Sequence, residues 1–222
     1  SPYLSLIVLF IGSLSLSLAL SITHAFEEKV FNNLQGINAH AIVFSYGTKL
    51  DAQATKNLLL ARHSNIIQAI TEQSMNNAII LHNNQQALIA LRALEPTTEA
   101  QVTKLASKCL APHSNQPLSE YLSGHNVIIG QALAKQLHLA VGDTLQLFIP
   151  HEGRSATRIR LSEKTVTIAA VFSIGLDDFD ANTIFCAFPF FNEAFNVKSG
   201  VDTLLITFND ASKKTPLAQR IA

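Results

Sequence analysis

Asn126-Val127-Ile128-Ile129-Gly130-Gln131-Ala132-Leu133-Ala134-Lys135-Gln136-Leu137-His138-Leu139-Ala140-Val141-Gly142-Asp143-Thr144-Leu145 decides the fold. Asn126 followed by three β-branched residues reads as a short strand. Gly130 turns the chain into a helix over Gln131 to His138 that buries Leu133, Leu137 and Leu139. Val141-Gly142-Asp143 turns it back. Thr144 to Ile149 is again a strand, with Leu145, Leu147 and Ile149 on one face because side chains alternate at period two. Strand, helix, glycine turn, strand within so few residues belongs to a mixed α and β fold.

Downstream the alternation continues. His151 to Ser155 is polar and separates the strand from Thr157 to Leu161. Thr165 to Ser173 alternates with Val166, Ile168, Ala170 and Phe172 inward, and Thr183 to Phe188 and Asp202 to Phe208 are further strands. Phe190 and Phe195 lie on a short helix after Pro189. Upstream, Ala39 to Tyr46 reads as a strand closed by Gly47, and Asp51 or its neighbour caps a helix through Leu58, Leu59 and Leu60. Three apolar runs, Ile66 to Ile70, Ala78 to Leu81 and Ala87 to Leu91, read as three strands. A helix follows to about Leu110, capped by Thr97 or Thr98 with Pro96 outside it. Pro112 to Pro117 is a loop and a candidate boundary between lobes.

The first 26 residues hold no Lys, Arg, Asp or Glu. A bilayer core needs about 20 mostly apolar helical residues at 1.5 Å rise each, and Tyr3 to Ile22 supplies that length. The serines within it are tolerable, since a hydroxyl bonds back to a carbonyl one turn earlier. A secretory signal peptide is the rival reading, with Thr23-His24-Ala25 as a loose cleavage site; the absence of a basic leading region argues against it. Phe26, Val30, Phe31 and Leu34 recur at near-helical spacing up to Gly36, so the helix is expected to leave the lipid and continue as a stiff lever.

Composition bounds the function. The 222 residues are 48% hydrophobic and 14% charged with a formal net charge of zero, so no basic excess points to nucleic acid. The eight histidines are scattered, and none pairs at the spacing of a helical zinc site. Asp178, Asp180 and Asn182 imitate the opening of a calcium loop, but Thr183 and Pro189 stand where glycine and glutamate are required; a turn between strands explains the acids better. No phosphate-cradling glycine loop and no nucleophile elbow is present, so the chain reads as a non-enzyme without a cofactor or metal of its own. Cys109 and Cys186 read as two buried, unpaired thiols, with a single bridge as the alternative. The chain reads as a fragment of a longer protein.

The run from Val127 to Leu145 resembles a pattern found in periplasmic domains of ABC-transporter permeases of the lipoprotein-releasing (Lol) and MacB/FtsX-like kind. Phe26-Glu27-Glu28 through Ile37-Asn38-Ala39-His40 is similar to the segment after the first membrane helix of lipoprotein-releasing permeases, with Ala25 and Ala39 where that family has Gly and Pro. Val171-Phe172-Ser173-Ile174-Gly175 with Phe179-Asp180 resembles a further turn of the family. The resemblance implies an α+β fold: an N-terminal transmembrane helix and its extension (1–36), then a two-lobed, mostly antiparallel extracytoplasmic domain. Its membrane-proximal lobe would comprise 37–112 and 197–222, and its inserted lobe 113–196.

It also implies a bacterial inner-membrane protein whose part after residue 26 is periplasmic. The partners implied are an ABC ATPase subunit that binds ATP and Mg, a second permease copy or paralogue, lipoprotein cargo and a periplasmic lipoprotein chaperone. Leu14, Leu18 and Ile22 share one helical stripe and are candidates for acyl-chain contact. The hairpin from Ile149 to Lys164, with Pro150, Arg154, Arg158 and Arg160, is the stretch equivalent to a chaperone-hooking hairpin in one branch of the family, although its aromatic, proline-rich tip is missing. A MacB-like efflux permease and a membrane-anchored or secreted binding module are the alternatives.

Overall fold

In the computed structural model, residues 3, 10–24, 39–83, 85–111, 116–152 and 159–209 are described. Residues 10–24 are helical (α1). Strand β1 (Ala41–Phe44) and helix α2 (Ala52–His63) lead into β2 (Ile67–His82) and β3 (Gln85–Leu94). Two short helices, α3 (Pro96–Val102) and α4 (Leu105–Lys108), precede β4 (Cys109–Ala111). Then come α5 (Leu118–Tyr121), β5 (Asn126–Gly130), α6 (Gln131–Leu137), β6 (Thr144–Glu152) and β7 (Ile159–Phe172). The described part ends with α7 (Asp177–Asn182), β8 (Thr183–Ala187), α8 (Phe188–Phe195) and β9 (Thr203–Phe208).

The strand pairings close on themselves. β2 pairs with β3, β3 with β8, β8 with β5, β5 with β7, β7 with β6, and β6 returns to β2 through Ile79↔Phe148, Ile80↔Leu147 and Leu81↔Gln146. The result is a six-stranded ring, a sheet wrapped into a small barrel. Period-two alternation fills it: Ala78, Ile80, Leu91, Val127, Ile129, Leu145, Leu147, Ile149, Val166, Ile168 and Ile184 are buried in one cluster. Helix α6 adds Leu133 and Leu137 to that cluster, and α8 adds Phe190 and Phe191. A second cluster lies outside the ring, where Leu94, Ile128, Ala170, Phe172 and Phe185 meet Leu105, Leu118 and Tyr121. Strands β9 and β1 extend the sheet beyond β2. There α2 is held by the ion pair Lys56–Glu72 (2.6 Å) and by apolar contact of Leu59 with Ile67, Ile206 and Phe208. A part-exposed pair contributes about 0.2–1 kcal/mol and each buried apolar side chain about 1.5–3 kcal/mol, so apolar packing holds this wing.

Seven of the nine pairings between described strands are antiparallel, as the sequence suggests; β3·β8 and β5·β7 are parallel. Two separate lobes are not evident. β8 and β6, assigned above to an inserted lobe, pair directly with β3 and β2 of the membrane-proximal one, so one continuous sheet spans both. Local boundaries shift for physical reasons. The first two of the three expected middle strands are one 16-residue strand, because the polar stretch between them is paired without a gap, with β9 up to Gln73 and with β3 from Gln73 onward. Pro96 lies inside α3 rather than before it, since its fixed φ suits the first helical position. The expected long helix to Leu110 breaks at Thr103, which is extended and returns its N–H to the Glu99 carbonyl. Asp177–Asn182 forms a helical turn rather than a plain loop.

Among the described residues no helix is long and apolar enough to cross a membrane. Helix α1 accounts for only part of the expected span from Tyr3 to Ile22; residues 4–9 of that span, and residues 25–34 of the lever, lie outside the described residues. Within α1, Ser13 Oγ donates to the Phe10 carbonyl (3.0 Å) and Thr23 Oγ1 to the Ala19 carbonyl (3.0 Å), so these hydroxyls are satisfied by the helix itself.

Gly130 is where the opening motif meets the rest of the fold. A Cβ there would sit 1.9 Å from the Asp180 carbonyl oxygen, so only glycine lets β5 turn into α6 against α7. Gly130→Ala is expected to destabilise the protein by about 3 kcal/mol, or roughly 6–12 °C in Tm, measured by thermal unfolding beside the parent chain.

Candidate functional site

The family-like turns prove structural. Gly142 has φ +95° and donates its N–H to the Ile168 carbonyl (2.8 Å), while Asp143 Oδ2 accepts from the Ala140 N–H (2.8 Å). Asp180, which is buried, accepts from Ser173 Oγ (2.8 Å) and from the Ile174 N–H (3.2 Å), fixing the exit of β7 onto α7. Phe179 packs edge-on against Phe172. These residues position strands and are fully used in doing so.

Among the described residues no cluster of His, Cys, Asp and Glu is arranged to hold a metal. Cys109 and Cys186 are free and buried, and burial pushes both thiols up, Cys109 to about 11. They are therefore poor nucleophiles at neutral pH.

What the fold leaves open is one wall of the barrel. Directly opposed residues in a sheet share a face. Leu145, Leu147 and Ile149 point inward, so Gln146, Phe148 and Pro150 point outward. The register sets Leu88, Ile79 and Phe148 side by side across β3, β2 and β6, and sets Pro150 opposite Leu161 on the hairpin. Leu88 is 63% exposed and Leu161 is 55% exposed. The other half of the outer wall lies under α4 and α5, where Leu105, Leu118 and Tyr121 are buried. Among the described residues the open half therefore carries exposed Leu88 and Leu161 beside half-buried Ile79 and Phe148, a candidate contact surface.

The candidate residues divide accordingly. Pro150 and Arg160 are exposed on the β6–β7 hairpin, beside His151, whose Nε2 lies 2.7 Å from Ser162 Oγ. Arg154 and Arg158 lie outside the described residues. Leu14, Leu18 and Ile22 are exposed on α1, but so are Phe10, Ile11, Leu16 and Leu20, so exposure does not single out their stripe. Below the hairpin, Lys164 reaches Glu193 of α8 (2.6 Å), and His125 lies 3.4 Å from the same carboxylate. The hydrogen bond from Lys164 holds the Glu193 carboxyl below its ordinary range.

Sequence reasoning missed the wall. Its signal was the run Ala78-Ile79-Ile80-Leu81, apolar on both faces of a strand, one of which meets solvent. Buried Glu99, with half-buried Arg92 near it, was missed as well; charged side chains in a short helix and a strand give no warning of burial.

The described residues form a closed strand ring with helices on half its outer wall and structural glycine turns. The description of the MacB-like periplasmic core domain matches residues 3–222, so the chain belongs to that family, the periplasmic part of ABC-transporter permeases of MacB/FtsX type. Its fold is similar to that of the periplasmic region of MacB from Actinobacillus actinomycetemcomitans, at 13% identity and TM-score 0.54, over 86% of this chain and 85% of that one. It is also similar to the extracellular domain of the noncanonic ABC-type transporter YknZ from Gram-positive bacteria, at 10% identity and TM-score 0.52, over 78% of this chain and 84% of that one. No curated protein matches the chain.

If the stripe exists for a partner and not for the fold, removing it leaves the fold intact. The double change Leu88→Ser and Leu161→Ser should alter stability by no more than about 1 kcal/mol in total, read by chemical unfolding, because both side chains are more than half exposed.

Proposed function

We propose that this chain is the anchor helix and periplasmic domain of a permease that extracts lipoproteins from the bacterial inner membrane and hands them to a periplasmic carrier. In this reading residues 3–22 stay in the membrane. A separate ABC ATPase binds ATP and Mg in the cytoplasm, and a second permease, identical or paralogous, completes the transporter. Closure of the ATPase moves the membrane helices, and residues 21–34 carry the motion to the barrel. Acyl burial contributes about 0.8 kcal/mol per methylene, so extraction has to be driven rather than awaited. Leu14, Leu18 and Ile22 are the proposed acyl contacts, and Pro150, Arg154, Arg158 and Arg160 the proposed carrier contacts.

The observation that carries the handover is the β6–β7 hairpin, with Pro150, Arg160 and Leu161 exposed at the margin of the open apolar wall. A carrier that shields lipid has to present an apolar mouth, and an apolar wall with a flanking cation can meet it. The resemblance around Phe26-Glu27-Glu28 supports the lipoprotein-releasing branch. The likeness to MacB supports a second reading, in which the same wall receives a periplasmic adaptor of an efflux machine.

A photo-crosslinker at position 160 or 161 of the intact transporter is expected to trap a periplasmic lipoprotein carrier. An adduct with an adaptor protein instead selects the efflux reading, and no adduct with either from an active complex removes the hairpin from handover. Proline at Glu28 or Val30, interrupting helical hydrogen bonding at a cost of about 3 kcal/mol, should uncouple ATP hydrolysis from cargo release in vesicles.

A further inference from the structure

Nothing in the structure names the occupant of the open wall, but every partner of the buried carboxylate beneath α3 is in view. Glu99 is 1% exposed. Its Oε1 accepts from Thr103 Oγ1 (3.0 Å), and the nearby Thr71 hydroxyl of β2 is 2.8 Å from Thr98 Oγ1. Oε2 has no partner. Arg92 of β3 lies over the Phe179 ring at 5.1 Å, and its buried Nε is likewise unpartnered. No ion pair within 4.0 Å joins the two, although each feels the other's charge.

Of the other charged groups on the elements around α3, Glu72 of β2 is paired with Lys56 (2.6 Å), and half-buried Glu95 before α3 accepts from Thr97 Oγ1 (3.2 Å). Lys104 before α4 and Glu120 of α5 are exposed, and Tyr121 is buried in the outer cluster. Asp180 of α7 is held by Ser173 and Ile174, and Thr207 of β9 donates to the Val102 carbonyl (3.3 Å). Helix α3 therefore bridges the barrel to the β1–β9 wing through β2 and β9, with a titratable group at the centre of the bridge. Arg92 also lines an open cleft of about 310 Å³ with Gln73, Met75, Thr203 and Asp202, the last paired with Lys49 (2.7 Å).

We propose that Glu99 and Arg92 form a proton-operated latch on α3: with the carboxyl protonated the helix is held on the sheet, and loss of the proton loosens it. Burial raises the Glu99 carboxyl from its ordinary 4.5 to about 7, against the hydrogen bonds of Thr103 and Thr71 and the charge of Arg92, which lower it. A raised acid binds more protons when closed than when open. The closed helix is therefore fully favoured below 4.5 and loses that advantage as pH rises through about 7. The periplasm takes its pH from the surroundings, so the latch would report external acidity to the joint between wing and barrel.

Hydrogen–deuterium exchange of α3 in the intact membrane-extracted transporter tests this. The wild-type rate is divided by that of Glu99→Gln at each pH, which cancels the intrinsic pH dependence of exchange. The ratio is expected near one at pH 5 and to rise tenfold or more by pH 8. Arg92→Leu, lacking the cation that favours the charged form, should push the rise to higher pH. A ratio flat across the range overturns the latch. Carbon NMR of the Glu99 carboxyl in the unaltered chain needs no variant: a midpoint near 7 supports the latch, and one near 4.5 overturns it.

Discussion

Ring closure is the constraint on which the rest depends. Three residue pairs between β2 and β6 turn what would be an open sheet into a barrel, and that closure gives inside and outside their meaning. Once the ring is shut, Ile80, Leu147 and Ile149 are sealed in, and α6 and α8 fill the remaining space with Leu133, Leu137, Phe190 and Phe191. The same closure turns Ile79, Phe148 and Leu88 outward together. The apolar wall is thus a consequence of the geometry that buries the core.

Helices then decide which part of the wall is available. The half carrying Phe172 and Phe185 is sealed by the short helices after β3 and β4. The turn acids Asp143 and Asp180 and the glycine at 130 hold α6 and α7 at a fixed approach to the ring. Among the described residues, the other half has the β6–β7 hairpin beside it. This division gives the domain a packed body and a distinct open face. Membership of the MacB-like periplasmic core domain family is consistent with a scaffold built this way.

Much of this was legible in the sequence where one local rule governed the outcome. The strand, glycine turn, helix and strand around Gly130 stand as read, as do the Asp51 cap, whose Oδ1 accepts from the Ala54 N–H at 3.0 Å, and the pattern of Leu145, Leu147 and Ile149. Long-range pairing was not legible. Nothing local in Ile79 or Phe148 says that they meet, so one ring-closing sheet was read as two lobes. Thr71 and Ser74 look like the end of a strand until β9 pairs with the first and β3 with the second. Glu99 was invisible because its burial depends on Thr71, Thr103 and Arg92 arriving from three places in the chain. Of the candidate site, the hairpin was found through resemblance; the apolar wall beside it emerged only once register fixed which side chains face out.

The most direct test of the account is whether the β2–β6 seam exists in the intact protein. Ile79→Cys with Phe148→Cys places two thiols at directly opposed positions of that seam. The closed ring predicts rapid disulfide formation on mild oxidation with unchanged helix and strand content. Two accessible cysteines that remain unlinked in a folded chain would mean that the ring is open, and the inside, the outside and the exposed wall would all have to be redrawn.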